Sequence, residues 1–306
     1  DKQHIAENAR SATPKRRAPQ SLITAAAKLP DSLKLPKAAV GVALNTDIRT
    51  LSPGDELQFQ QFGLSLVLTV TSVRITETGS TFIIGETDKN ETLSILVAAN
   101  GNAAGRINLA DEVWQISPTN ATGVAAVTSS KTSQLEAMPF GDDMRLPEQL
   151  GVVDRSASLP NGENTASSTI SVLMLYDPSL PDPVTTSEYL LQLTNQIQAI
   201  SGTGITFVAT SYKSFSTTGD PLDAITGSAQ VQTWRDQEKA DLVAWIGDFN
   251  TSYGYCGVAW VPGANGQDFA SQVAGGGYSV TLYGSSGSTY CTDETLAHQL
   301  GHNLGA

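Results

Sequence analysis

His298-Gln299-Leu300-Gly301-His302-Asn303-Leu304-Gly305-Ala306 holds two of the chain's three histidines, four residues apart. An α-helix turns once in ~3.6 residues, so positions i and i+4 share a face and both imidazoles can reach one metal ion. The preceding Cys291-Thr292-Asp293-Glu294-Thr295-Leu296-Ala297 offers Thr and Asp as N-caps and acids for a first turn, which predicts a helix start. Gly305 is placed to end that helix, since glycine adopts the left-handed turn after a last residue at little cost.

Upstream of this helix the pattern is α/β. Residues 170–176 read as a first strand, and 187–201 as a helix with an apolar stripe at Leu190, Leu193, Ile197 and Ile200. Residues 205–209 form a second strand, 229–239 a second helix and 240–246 a buried third strand; 256–260 and 278–282 lead towards the histidine helix. Further upstream, from Val40 to about Met138, short β-branched runs at 57–59, 64–70, 81–85, 92–97, 105–109 and 112–116 alternate with Gly, Asn and Asp turns. They predict a small antiparallel sandwich or barrel. Residues 1–40 are polar and carry Pro14, Pro19, Pro30 and Pro36; a short helix over 21–28 is expected there, with tail or linker around it. A Pro/Gly/Ser-rich join covers 139–168, the kind of exposed segment where a proteolytic cut belongs.

A chain of 306 residues that is 40% hydrophobic can bury one or two ordinary cores. No apolar run approaches the ~20 residues that span a bilayer. Net charge is -12, yet half of the 18 Lys and Arg lie in the first 50 residues, including Lys15-Arg16-Arg17. Residues 166–306 carry only Lys213, Arg235 and Lys239 against 12 acidic side chains. That balance argues against nucleic acid as a partner, because phosphate binding needs clustered cations; the basic tail reads as a solvated leader.

The run from Leu296 to Ala306 resembles the zinc signature of the metzincin endopeptidases, H-E-x-x-H-x-x-G-x-x-H. Its flanks are similar to the reprolysin (adamalysin-like) branch, and to bacterial secreted peptidyl-Asp metalloendopeptidases in particular; Ala240-Asp241-Leu242-Val243 adds to that likeness. The resemblance implies His298 and His302 as zinc ligands, with a third histidine at 308, so that the natural chain would continue past Ala306. Gln299 stands where the family has its general-base glutamate. An amide can hydrogen-bond the attacking water but cannot take its proton, and loss of such a base costs on the order of 10²–10⁴ in rate. The chain as written is therefore expected to be inactive. An engineered replacement, a natural non-catalytic homologue and a sequence error all remain open as the origin of Gln299.

The likeness also implies an overall α+β plan. A β-rich pro-domain (41–138) follows a basic tail (1–40), and a linker with a processing site (139–168) leads to a metzincin-like catalytic domain (169–306) of mixed twisted sheet and helices, incomplete at its C-terminus. The stretch from Gly105 to Ile116 is similar to the pro-regions of those bacterial enzymes. The implied molecule is the zymogen of a secreted zinc endopeptidase, its signal peptide already removed, hydrolysing proteins through a zinc-bound water and held in check by its own pro-domain; a dead homologue that only binds proteins is the alternative. Asp142 and Asp143 are the candidates for an inhibitory ligand to zinc, an ordinary acidic turn being the other reading of them. In an exported enzyme Cys256 and Cys291 would form a disulfide; otherwise they are two buried thiols. Gly257, Val258 and Ala259 are the candidate substrate edge. A preference for Asp after the scissile bond would need a pocket cation, for which Lys213, Arg235 and Lys239 are the choices before residue 306.

Overall fold

The computed structural model describes residues 17–30, 38–61, 63–132, 136–137, 144–146, 167–263, 272, 275–286 and 289–306. In the first half, ten strands form one sheet: β1 (Gln20–Ser21), β2 (Ile23–Ala26), β3 (Val40–Leu44), β4 (Glu56–Gln61), β5 (Leu64–Ile75), β6 (Thr81–Glu86), β7 (Thr92–Val97), β8 (Ala103–Asn108), β9 (Glu112–Pro118) and β10 (Val124–Lys131). Their order is β1-β4-β5-β6-β7-β8-β9-β10-β3-β2, so the two outermost strands are separated in sequence by Leu22 alone. The Leu22 N–H donates to the Gln58 carbonyl, and the Leu22 carbonyl accepts from Asn45 N–H. One stretch of chain thereby bonds to both ends of the sheet, which curls until no long free edge is left.

This corrects the helix expected over 21–28. Its Ala-rich run favours helix only weakly, and burial of Leu22 and Ile23 together with ladder bonds outweighs that preference. Alternation does hold elsewhere: Leu66, Leu68 and Val70 of β5 point inward while Ser65, Val67 and Thr69 face out. The interior is filled by Leu57, Leu68, Ile83, Ile95, Ile107 and Ile116, with Phe59 set edge-on to Trp114 at 5.6 Å.

After this sheet come β11 (Glu136–Ala137), β12 (Met144–Arg145), β13 (Ser168–Tyr176), α1 (Pro183–Ser201), β14 (Ile205–Ser214), α2 (Pro221–Gly227), α3 (Ala229–Glu238), β15 (Leu242–Asp248), β16 (Gly257–Trp260), β17 (Tyr278–Tyr283), β18 (Ser285–Ser286), β19 (Thr289–Tyr290) and α4 (Thr295–Asn303). A six-stranded sheet runs β12-β16-β17-β15-β13-β14; β14, β13, β15 and β17 are parallel, and β16 lies antiparallel to β17. Both faces are covered, as a parallel sheet requires. Val172 and Met174 turn to one face against Leu190 and Leu191 of α1 and Leu296 and Leu300 of α4. Leu173 and Leu175 turn to the other, against Leu222 and Ile225 of α2 and Val231 of α3.

Two helical details depart from the sequence reading. Ile200, expected in the buried stripe, is 77% exposed, because it lies in the last turn of α1, past the helix's last buried residue, Asn195. Helix α2 was not anticipated, although Asp220-Pro221 carries its signal: the Asp220 carboxylate accepts from Asp223 N–H and proline occupies the first turn.

The curled sheet packs on this second unit through its outer face. Phe82, Leu96 and Ala104 join the cluster of Tyr189, Leu190 and Leu296. Buried Glu188 accepts from the Ser80 hydroxyl at 2.8 Å and from Thr78, and Asn102 Nδ2 donates to Asp182 at 2.5 Å. Between β7 and β8 the approach leaves no room for a side chain at Gly105, where a Cβ would lie 2.6 Å from the Ser94 carbonyl oxygen and 3.0 Å from Ile95. Gly105→Ala should therefore cost about 1–3 kcal/mol of stability, read as a lowered urea midpoint; an unchanged midpoint would mean the two strands separate without penalty.

Candidate metal centre and substrate edge

Helix α4 presents Leu296 and Leu300 to the core, which turns His298 and His302 to the opposite side. The two rings lie 4.3 Å apart, centroid to centroid, at an interplanar angle of 75°. His298 is exposed, whereas His302 is 8% exposed. His302 Nδ1 sits 2.8 Å from the Ala306 carbonyl oxygen. A carbonyl only accepts, so Nδ1 carries a proton and donates it there. That bond depends on the turn after the helix: Gly305 has φ +87°, its N–H donates to the His302 carbonyl, and Ala306 N–H donates to Gly301. This pair of bonds is the Schellman arrangement, so the glycine expected from sequence does end the helix.

Gln299 is fully buried, and neither atom of its amide has a hydrogen-bond partner among the described residues. A buried orphan amide is costly unless something else occupies the space beside it. It packs against Gly257, where a Cβ would meet Gln299 Cγ at 2.7 Å and its Nε2 at 2.8 Å. Two imidazoles on one side of the helix, next to a buried amide with no hydrogen-bond partner among the described residues, fit part of a zinc centre. Among the described residues no group of three His, Cys, Asp or Glu side chains could complete it. Asp142 and Asp143 lie outside the described residues.

The start of α4 differs from the sequence reading. Glu294 is the N-cap residue and makes no side-chain cap bond. Asp293 instead turns inward, 3% exposed, to accept from the Tyr189 hydroxyl at 2.9 Å with Arg106 at 4.0 Å. Tyr189 also bonds Ser94 at 3.0 Å, and the Arg106 guanidinium stacks over Tyr290. At the other end buried Asn303 directs its amide at the carbonyls of Trp260, Gly276 and Tyr278, at 2.9, 3.2 and 3.0 Å. Sequence reasoning missed these positions because their partners lie tens to two hundred residues away and leave no local pattern.

Cys256 and Cys291 form a disulfide with Cα atoms 5.2 Å apart, joining the residue before β16 to the loop before α4. Gly257, Val258 and Ala259 are buried in β16; one edge of that strand pairs with Thr281, Val280 and Ser279 of β17. Along its other edge runs β12, parallel, with Met144 opposite Ala259 and Arg145 opposite Trp260. Before that, β11 pairs parallel with β19, the strand leading into α4. The candidate pocket cations are engaged elsewhere: Lys213 with Glu238 at 2.8 Å, Arg235 with the Ala240 and Asp241 carbonyls, and Lys239 at the C-cap of α3.

Two measurements follow from this geometry. The disulfide closes a loop of 35 residues, so Cys256→Ala/Cys291→Ala should lose about 3–4 kcal/mol in denaturant unfolding, and a loss under 1 would mean that other contacts hold β16 to α4. Burial, opposed by Arg106, pushes the Asp293 carboxyl up to about 6 from its ordinary 3.8. An acid raised on folding prefers its neutral form there, so this group's contribution to stability grows as pH falls through 6 and levels off below 3.8. Urea midpoints at pH 7 and 5 should accordingly shift towards acid stability more in the parent than in Asp293→Asn; identical shifts would remove Asp293 as the cause.

Comparison with known proteins places one match on this half. Residues 166–306, a little under half of the chain, match the Reprolysin_5 model of metallo-peptidase family M12. No curated protein matches. Among solved structures, the crystal structure of metalloproteinase-II from Bacteroides fragilis is similar with a TM-score of 0.49 at 14% identity, over 82% of this chain and 80% of that one. A chaperone-substrate complex gives a TM-score of 0.37 at 16% identity, over 82% of this chain and 29% of that one. The segment that carries the histidine pair is thus matched by metallo-peptidase family M12, which supports a metzincin-like peptidase.

Proposed function

We propose that the chain is a zinc-dependent endopeptidase of the reprolysin type, secreted and in zymogen form, with the curled sheet as its pro-domain. The observation that carries this reading is the helix α4 itself: two imidazoles 4.3 Å apart, one donating its Nδ1 proton to the Ala306 carbonyl, beside a buried Gln299 at the family's base position. His298 and His302 would hold the zinc with a third ligand from beyond residue 306. Zinc, when bound, supplies a Lewis acid for peptide-bond hydrolysis.

The chain's own residues do the rest. A carboxylate in place of Gln299 would take a proton from the attacking water and return it to the leaving amine; the amide can hold that water but cannot accept the proton. Strand β16 offers its main chain to an extended peptide, the usual way a sheet edge binds substrate. In this form β12 occupies that edge, which is how a pro-segment would keep substrate out. Gln299 also favours a second reading, a natural homologue that binds peptides in the same cleft without cutting them.

Restoring the carboxylate by Gln299→Glu, in a chain extended past residue 306 and freed of its first half, tests the proposal. Casein hydrolysis should appear at about 10²–10⁴ times the rate of the Gln form and should be lost with a zinc chelator. Zinc bound without hydrolysis would favour the binding module. Less than a few tenths of a zinc per chain would remove the peptidase reading.

A further inference from the structure

Beside β16 the N-terminus of α2 carries two carboxylates that hold a guanidinium. Arg145 of β12 makes a forked contact with Asp220, Nη1 to Oδ1 at 3.0 Å and Nη2 to Oδ2 at 2.6 Å, and its Nη1 also lies 3.0 Å from Asp223 Oδ1. Paired geometry of this kind suits arginine's planar donors. The same residue continues the main-chain ladder, accepting from Val261 N–H at 2.9 Å. Backbone pairing and side-chain capture therefore act on one residue of a strand laid along β16. That is the arrangement of a peptide side chain in its subsite.

We propose that Asp220 and Asp223 form a subsite for a basic side chain, arginine or lysine, of the peptide substrate, and that Arg145 fills it in this form of the chain. The assignment rests on the endopeptidase reading above, in which β16 is the substrate edge.

The pocket is built independently of Arg145. Asp220 caps α2 and accepts from Asp223 N–H at 3.1 Å, so the start of the helix holds its carboxylate in place. Burial tends to raise the Asp220 carboxyl, but the Arg145 hydrogen bond and the Asp223 and Leu222 backbone N–H groups together hold it below its ordinary value. Trp260, opposite Arg145 in β16, donates its indole N–H to Thr226 at 2.8 Å and so ties the end of α2 to the edge strand. Arg145 is the one cation paired with these carboxylates among the described residues. A strand run in either direction places alternate side chains on the same face of the edge, so reversal of the peptide does not remove access to the pocket.

The test uses the chain as it stands, with Gln299 and without added metal. The variant Met144→Gly/Arg145→Gly/Leu146→Gly, which empties the pocket and loosens β12 from the β16 edge, is titrated by fluorescence anisotropy with a labelled six-residue peptide, Ala-Ala-Met-Arg-Leu-Ala, and with its twin carrying norleucine for arginine. The arginine peptide should bind about tenfold tighter, and Asp220→Asn/Asp223→Asn in the same background should erase the difference. Equal affinities, a difference that survives loss of both carboxylates, or no binding of either peptide would each overturn the subsite. Met144→Gly/Arg145→Ala, which loosens the same pairing with fewer changes, serves as the second background if the triple-glycine variant does not fold. Failure of the zinc or casein experiments leaves this readout intact, so the two ideas fail separately.

Discussion

Everything at the candidate centre depends on helix α4 being held rigidly against β16 and β17. A helix of nine residues is marginal by itself, so its position comes from contacts along its length. Leu296 and Leu300 sink into the core shared with α1, and Asn303 binds three carbonyls at the far end. The disulfide anchors the approach to the helix, and Gly257 lets Gln299 come within contact of the strand. His298 faces solvent while His302, on the same side of the helix, is almost covered.

The fifth hold comes from the first half of the chain. Asp293 is a buried carboxyl just ahead of α4, and its partners include Arg106 of β8 and Tyr189 of α1, the latter bonded in turn to Ser94 of β7. Glu188 and Asp182 likewise find their donors on the curled sheet. Part of the bonding of these polar groups exists only while the two units stay together, and the apolar patch of Phe82, Leu96 and Ala104 is covered by the same contact. Separation of the units would return several carboxylates to water and expose that patch at once. Helix α4 and the curled sheet are therefore coupled through burial.

Periodicity made much of this legible. The strands from β4 to β9 announce themselves by alternation, and β13 and β15 by continuous apolar runs suited to a sheet covered on both sides. The histidine pair and Gly305 show the helix, the side that carries both imidazoles and its end. Where two local preferences competed, the sequence misled: the Ala-rich run after Ser21 became strand because both ends of a ten-stranded sheet needed the same chain to close. Ile200 fits the apolar stripe but lies in the last turn of α1, past its last buried residue, Asn195, and so stays in solvent.

By itself, then, the sequence determined most of the strongly periodic elements, the spacing of the two imidazoles and the identity of the residue between them, because these follow from covalent order and local pitch. Tertiary structure alone decided that Asp293 abandons the helix cap for a buried network, that Asn303 pins three carbonyls, and that Arg145 meets Asp220 and Asp223 beside β16. Each of those pairings joins residues about 25 to 190 positions apart. Local propensity acts over a few neighbours, whereas burial and charge act on whatever the fold brings within a few ångströms.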